Sequence, residues 1–368
     1  MIELSGAVAV EAIDERTRDR PDPEHAAAGV GSVAAHYGDP LREQRQAATD
    51  VALVDRSHRG VLAVPGEERA GWLHTLTSQH LATIAAGEGS ELLVLSPHGH
   101  IEQHAMVAED GTTTWLDTEP GDAAGLLDYL LKMRFFTRVD PADVTAQWAL
   151  LSLVGPRAAA AAAALGVADL AAPDLVEVPA SKFAAGSVPA RPTSRYDVSQ
   201  LPGGGWARRV RLGVDLLVPR GRIDEVAGTL REAGVPAAGL WAYEALRVAA
   251  RIPRVGRDTD HRTIPAEVDL VGPAVHLEKG CYRGQETVAR VHNLGRPPRR
   301  LVLLHLDGSA SDRLPESGTP VTTAGRSVGF VGSAVQHFEL GPIALAVLKR
   351  NVADDAPLLV GEVAAAIE

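Results

Sequence analysis

Apolar positions along the chain follow two rhythms in turn. Short apolar or alternating runs suit strands, and runs with apolar residues three and four apart suit helices. Strands are predicted at 56–64, 91–96, 101–108 and 112–117, the last two joined as a hairpin at Glu109-Asp110-Gly111. Helices are predicted at 66–80, where Ala70, Leu73, Leu76 and Thr77 share a face, and at 123–133. A second unit opens near Thr145 with an apolar strand at 148–154. A helix follows through the alanine run 157–164, with Pro156 suited to its first turn and Gly166 to its end. Strands at 174–178, 191–196 and 206–218, a helix at 223–233 closed by Gly234, and a long helix at 239–250 complete this unit. Residues 254–273 are loop-rich. A helix starts at Gln285, and Gly295-Arg296-Pro297-Pro298 marks a linker. Beyond it, runs at 301–306, 319–323, 326–335 and 343–348 read as short strands of a small barrel. Residues 1–30 lack periodicity and read as a poorly ordered lead-in. The predicted parts are therefore that lead-in, a first α+β part at 31–144, a second at 145–296 and a barrel at 297–368. The class is α+β.

Composition agrees with a multidomain globular chain. Its 368 residues suggest two to three domains, and 45% hydrophobic with 23% charged residues supports a substantial core. Aromatics are only 4%, so that core relies on Ala, Val and Leu. No basic start followed by an apolar stretch suggests a signal peptide, and no apolar run suits a membrane span. One cysteine fits a reducing compartment, so a cytoplasmic location is expected. The net charge of −11 argues against stable nucleic-acid binding. Locally, Lys279, Arg283, Arg290, Arg296, Arg299 and Arg300 stand against only Glu286. Such a run is either a solvated face with a basic linker or a docking face for an anionic partner.

The lone cysteine lies in Lys279-Gly280-Cys281-Tyr282-Arg283-Gly284-Gln285-Glu286-Thr287-Val288-Ala289-Arg290. It has no internal disulfide partner. Its cationic neighbours favour a thiolate, and a helix start just beyond it would add to that effect. The other reading is a small inert core residue. Glu286 and Arg290 stand four apart in the favourable order for a helical ion pair.

This stretch closely resembles the signature K-G-C-[aromatic]-x-G-Q-E-x-x-x-[K/R] of the YgfZ family, folate-binding relatives of the glycine cleavage T-protein, an aminomethyltransferase. Lys279, Gly280, Cys281, Tyr282, Gly284, Gln285, Glu286 and Arg290 match every signature position. The segments 36–57, 95–101, 130–139, 245–267 and 328–346 also resemble the family's pattern. Two departures stand out. His100 replaces the arginine of the S-P-x-G-R loop, and the T-protein's acidic Gly-Glu-Asp-Gly stretch is replaced by the segment around Pro202-Gly203-Gly204-Gly205 and Leu212-Gly213-Val214-Asp215. The resemblance implies a three-domain ring-like GcvT/YgfZ folate-binding fold with tetrahydrofolate near the central opening. His100 would lie at a folate edge, Glu267 would accept hydrogen bonds from the pterin, and Arg247 would hold the glutamate carboxylates with a bidentate fork. Cys281 would act at the surface, with Lys279, Arg283 and Arg290 keeping it reactive and orienting partners. The implied function is an accessory one in iron–sulfur cluster assembly or repair, with an indirect link to tRNA modification. The implied partners are iron–sulfur proteins or assembly factors. The alternative is a tetrahydrofolate-dependent aminomethyl or methyl transferase.

His98, His100, Glu102 and His104, and separately Asp258, Asp260 and His261, have metal-ligand character without a matching metal motif. Gly203-Gly204-Gly205 lacks the Gly-Lys-Ser/Thr of a phosphate loop and reads as a hairpin turn.

Overall fold

The computed structural model describes residues 7–10, 33–167, 170–172, 175–176, 191–192, 195–294, 296–309 and 313–368. Strand β1 (Val8–Val10) pairs antiparallel with β2 (Val33–His36). Part of the predicted lead-in is therefore a strand, too short to show periodicity and paired far along the chain. The rest of the lead-in lies outside the described residues. Helix α1 (Pro40–Thr49) has no predicted counterpart, because only Gln44 and Ala47 of it are buried and no apolar stripe marks it. Its start is nonetheless well made. Asp39 accepts a hydrogen bond from the Arg42 amide at 3.0 Å, and Pro40 takes the first helical position.

Two strands, β3 (Ala52–Asp55) and β4 (Gly60–Pro65), replace the single one predicted at 56–64. Helix α2 (Arg69–Leu76) stops short of residue 80 because Thr77 turns to extended backbone. Strands β5 (Glu88–Leu95), β6 (Ile101–Glu109) and β7 (Thr113–Thr118) and helix α3 (Ala123–Lys132) follow close to prediction. After β8 (Ala142–Asp143), β9 (Trp148–Val154) has its predicted bounds. Helix α4 (Ala158–Ala162) ends through a 3-10 turn at Gly166, whose φ of 75° suits glycine. β10 (Leu175–Val176) pairs with β11 (Arg191–Pro192), and the rest of the 174–178 prediction lies outside the described residues. β12 (Tyr196–Gln200) precedes a hairpin of β13 (Trp206–Val210) and β14 (Gly213–Pro219), predicted as one strand. Then come α5 (Ile223–Glu232), β15 (Ala237–Ala238), α6 (Leu240–Ala249) and α7 (Gln285–Leu294). The carboxy-terminal strands are β16 (Arg299–Leu306), β17 (Pro320–Thr323), β18 (Arg326–His337), β19 (Gly341–Lys349), β20 (Leu358–Val360) and β21 (Val363–Ile367).

Strands β16 to β21 close a six-stranded barrel in the order β16-β19-β18-β17-β20-β21. The others, β1, β2, β10 and β11 apart, form one eleven-stranded sheet in the order β15-β3-β9-β14-β13-β12-β5-β6-β7-β4-β8. β3, from the part predicted to end at 144, lies beside β9 from the next part. β12 is the hinge strand, paired with β13 at one end and β5 at the other. One half of the sheet packs α4 and α5 over Leu151, Leu153, Val214 and Leu216. The other packs α2 and α3 over Leu62, Leu92, Val107 and Leu116. A third core fills the barrel, and Val248 of α6 packs against Leu303, Ile343 and Leu345 to seat it. The fold is thus α+β with a carboxy-terminal barrel. Its middle is enclosed by the two sheet halves, α6 and the loop that follows α6.

Candidate functional site

Two sequence motifs far apart in the chain are brought together by glycine. Gly284 has φ 82°, and a Cβ there would lie 2.5 Å from the Ser96 carbonyl oxygen and 2.9 Å from Gly99 Cα. Gly99, at φ 79°, leaves only 2.8 Å between such an atom and Thr287 Cβ. The Ser96–Gly99 turn and the start of α7 therefore meet backbone to backbone. Gly280 differs: nothing lies within 4 Å of its would-be Cβ.

Around this seam the signature divides into an inner and an outer set. Tyr282 is buried among Leu93, Leu95, Ile101, Val288 and Val347. Lys279 is 5% exposed, and its ammonium donates to the carbonyls of His74, Thr77 (2.6 Å) and Gln79 (3.1 Å). It thereby caps the end of α2, where carbonyls lack helical partners. Burial holds its pKa down to about 8. The expectation that Lys279 serves the thiol meets a different geometry, since its donors are spent inside the fold. Gln285 donates to the Lys279 carbonyl at 3.2 Å. Outside, Cys281, Arg283, Glu286 and Arg290 are exposed. Arg283 donates to Glu102 at 3.0 Å. Cys281 lies in the loop before α7, not in the core.

A cavity of about 1070 Å³, open solvent at its mouth included, lies between the sheet halves and α6. A chain of alternating charges builds one wall. Arg56 donates to Asp215 (3.2 Å), and Arg208 to Asp215 (3.0 Å) and Asp117 (2.7 Å). Arg59 donates to Asp117 (3.0 Å) and Glu119 (2.6 Å), and Arg254 reaches Glu119 (2.7 Å) and Glu244 (3.2 Å). Burial alone would raise these carboxyls, but the arginines hold Glu119, Asp117 and Glu244 below the usual range. The Arg56 guanidinium stacks 4.0 Å from the Tyr243 ring centre. His58, in the turn between β3 and β4, borders the cavity. Burial first, then the charges of Arg254, Arg56 and Arg59, push its pKa down to about 3, so it is neutral. Its Nδ1 is buried without a hydrogen-bond partner.

Another part of the lining has a different chemistry. Glu91 on β5 is hydrogen-bonded by Tyr196 Oη of β12 and by His104 Nε2 of β6, the latter at 3.1 Å. Burial pushes the Glu91 carboxyl up, and these two bonds outweigh it and hold it below its ordinary value. Burial and the Glu91 charge push the Tyr196 phenol well up, so it remains a donor.

Of the three residues expected to contact folate, Arg247 alone borders this cavity. All five of its N–H groups are spent within the protein, on Glu244, Asp258, Ser333 and the Ile252 carbonyl. It is a strut between α6 and the barrel, with no fork left for a ligand carboxylate. Glu267 is 2% exposed and turned to the barrel. It accepts two bonds from Arg299, at 2.9 and 2.8 Å, and one from the Ile264 amide. His100 belongs to the 96–100 turn, where its amide donates to Ser96 Oγ, and it does not border the cavity. His104, read from the sequence only as a candidate metal ligand, does. Among the described residues, no group of three or more His, Cys, Asp or Glu is placed to hold a metal. Glu91 stands among other polar residues of β5 and His104 among those of β6, so sequence alone does not single the pair out.

Comparison with known proteins agrees with this architecture. Residues 34–195 match the GCVT N-terminal domain, and residues 299–368 match the CAF17 C-terminal beta-barrel domain. The glycine cleavage system aminomethyltransferase T of Bartonella henselae superposes with a TM-score of 0.73 at 20% identity, over 94% of this chain and 93% of that one. The fold is GcvT-like. Among sequence relatives, a chloroplastic candidate transferase of Arabidopsis thaliana is 27% identical over 302 residues, 80% of this chain and 65% of its own length. The chain thus spans just under two thirds of that plant protein. An aminomethyltransferase of Thermosynechococcus vestitus is 26% identical over 317 residues, 85% of this chain and 80% of its own. That of Moorella thermoacetica is 25% identical over 353 residues, 88% and 87% respectively. These matches relate the GcvT-like chain to aminomethyltransferases and CAF17 proteins. Among the described residues, no helix is long and apolar enough to cross a membrane.

Proposed function

We propose that this GcvT-like chain is a YgfZ-type protein that binds tetrahydrofolate in the cavity between its sheet halves. It would serve as a cytoplasmic accessory to iron–sulfur cluster assembly or repair, with tRNA modification affected only through cluster enzymes. The cavity carries this reading. It offers a stacked Arg56–Tyr243 surface and a neutral His58 with an unused ring nitrogen to a flat heterocycle. Arg211 and Arg251 also border it, and their charge suits the carboxylates of a glutamyl tail. Cys281 on the surface supplies the redox or client-contact group. One thiol cannot hold a cluster that needs about four, so any cluster contact is shared or transient. The likeness to aminomethyltransferases, together with the Glu91–His104 pair in the cavity, favours a second reading: tetrahydrofolate-dependent aminomethyl or methyl transfer.

Anaerobic calorimetry with tetrahydrofolate under reducing conditions tests the ligand. Saturable one-to-one binding is expected, and no detectable heat refutes the folate site. Complementation of a strain lacking the protein then separates the roles. Cys281→Ala is expected to fold and bind folate yet fail to complement, and full complementation by it refutes the accessory role given to the thiol.

A further inference from the structure

We propose that Phe135 and Phe136 anchor a protein partner on the outer layer formed by α2 and α3, the layer that ends at the Cys281 loop. This rests on the client-contact reading of Cys281 and names the surface that would hold the client. Among the described residues, these two rings are the most exposed large apolar side chains, at 78% and 101%. The turn that carries them, just beyond α3, is braced on both sides. Trp72 Nε1 donates to the Met133 carbonyl (3.1 Å), and the Arg138 amide donates to the Glu68 carboxylate (2.7 Å). The Asp140 amide donates to the Pro65 carbonyl (3.1 Å). Gly66 admits the turn, since a Cβ there would lie 2.3 Å from the Arg138 carbonyl oxygen. Within the turn Phe135 has φ 43°, a left-handed conformation that bulky residues rarely adopt. So braced, the turn keeps two rings in water, where little packing within the chain offsets their hydration.

The chemistry of the patch selects its occupant. The two rings expose roughly 350 Å² of apolar surface, a patch size that on a monomer is often functional. Around them Lys132, Arg134 and Arg138 are joined in ion pairs to Asp128, Asp140, Glu67 and Glu68. With four acids to three bases, and a net charge of −11 on the chain, the patch lacks the cationic rim that an anionic bilayer or a nucleic acid attracts. A second copy would bring the same convex knob. A two-fold pair of knobs would bury roughly 700 Å², below the roughly 1,200 Å² at which stable interfaces begin. What fits is a protein with an apolar pocket for two rings and a polar, near-neutral rim, in which buried aromatic side chains act as anchors. Position agrees with chemistry. The knob sits at the amino-terminal end of α2, and Lys279 ties the signature loop to its carboxy-terminal end. Eight residues of helix separate the two by about 12 Å. Arg283 lies beside the Tyr129 hydroxyl of α3, in the same layer. One partner of ordinary interface size, roughly 800 Å² a side, covers both.

Complementation of a strain lacking the protein gives the first test. The double variant Phe135→Ser/Phe136→Ser is expected to keep the wild-type urea midpoint and fail to complement. Full complementation by it overturns the proposal. If the double variant unfolds early, Phe136→Ser decides, because that ring is fully exposed and its loss leaves the fold intact. The second test is crosslinking in intact cells, with p-benzoylphenylalanine in place of Phe136 and, separately, of Glu278, exposed in the Cys281 loop. One and the same protein is expected from both positions. Once purified, it is expected to bind wild type about tenfold or more tighter than Phe136→Ser. No common adduct, or equal affinities, overturns the proposal. The third test uses the chain alone, in sedimentation with phosphatidylcholine–phosphatidylglycerol vesicles and in equilibrium ultracentrifugation. Neither vesicle binding nor a dimer is expected, and either one, if abolished by Phe136→Ser, assigns the knob to a bilayer or a second copy and overturns the protein partner. Cys281→Ala that complements where Phe136→Ser does not refutes the role given to the thiol and supports the docking surface.

Discussion

Replacing Lys279 with methionine keeps the buried stem and removes the ammonium that caps α2. Three carbonyls, of His74, Thr77 and Gln79, then lose their donor. A hydrogen bond from a charged donor contributes about 1.5–3 kcal/mol, so three contribute roughly 4.5–9. Against this stands the cost of burying the charge. The pKa falls from 10.5 to about 8, which corresponds to roughly 3 kcal/mol. The difference predicts a loss of about 3 kcal/mol, more than a hundredfold in the folded-to-unfolded ratio. Urea unfolding followed by tryptophan fluorescence measures it, and Trp72 on the capped helix is a local reporter. In parallel, the rate at which Cys281 in the folded variant reacts with a disulfide reagent should match wild type. Unfolding within about 0.5 kcal/mol of wild type, with thiol reactivity collapsed, would show that the lysine serves the sulfur and refute the capping argument.

Further outcomes follow from the same structure. Gly284→Ala should cost about 2–5 kcal/mol, from left-handed backbone and from overpacking against Ser96 and Gly99. Gly280→Ala should stay within about 0.5 kcal/mol, and urea unfolding of the pair decides it. Tyr282 is pushed up to about 12 by burial. The folded state therefore keeps the phenol proton that the unfolded state releases near 10, and stability is lost as pH rises between them. The loss is about 2.5 kcal/mol, and Tyr282→Phe should abolish it in alkaline unfolding curves. His58 has the opposite dependence. Its ring stays neutral when folded, so stability is full above about pH 6.5 and falls by roughly 2 kcal/mol toward pH 5, where the unfolded ring takes a proton. His58→Gln should flatten that acid limb, and an unchanged limb would refute the assignment.

Much of the fold was legible because alternation and helical spacing survive wherever an element has one buried face. α3 is such an element, and β9, buried on both faces, is legible instead as a short apolar run. α1 was not legible, since its contacts use Gln44 and a small alanine instead of an apolar stripe. The last two barrel strands are short, and their partners, β16 and β17, lie far back in the chain. The signature's position was legible, but its division into inner and outer residues was not. Lys279 faces inward because carbonyls some two hundred residues earlier need a donor. Arg247 and Glu267 were expected to face a ligand, and their side chains bond within the protein. The groups that occupy them, Asp258, Ser333 and Arg299, are brought in by tertiary packing alone. The cavity draws on β5, β6, β12, β13, β14, α6 and several turns and loops, and no local spacing reveals such a set.

The bond between Arg247 and Ser333 bears on how such chains can be divided or recombined. Asp258, fully buried, also accepts from the Ser333 amide at 2.6 Å, and a Cβ on Gly332 would collide with it. Arg299 is tied in the same way to Asp260 and Glu267. A cut at residue 299, where the barrel begins in sequence, would therefore leave buried carboxylates on one fragment and their donors on the other. The heritable unit is the barrel plus α6 and its following loop. A chimera with a relative's barrel should cross over ahead of Arg247, and one that crosses over at the linker must re-create Asp258, Asp260 and Glu267 on the recipient side.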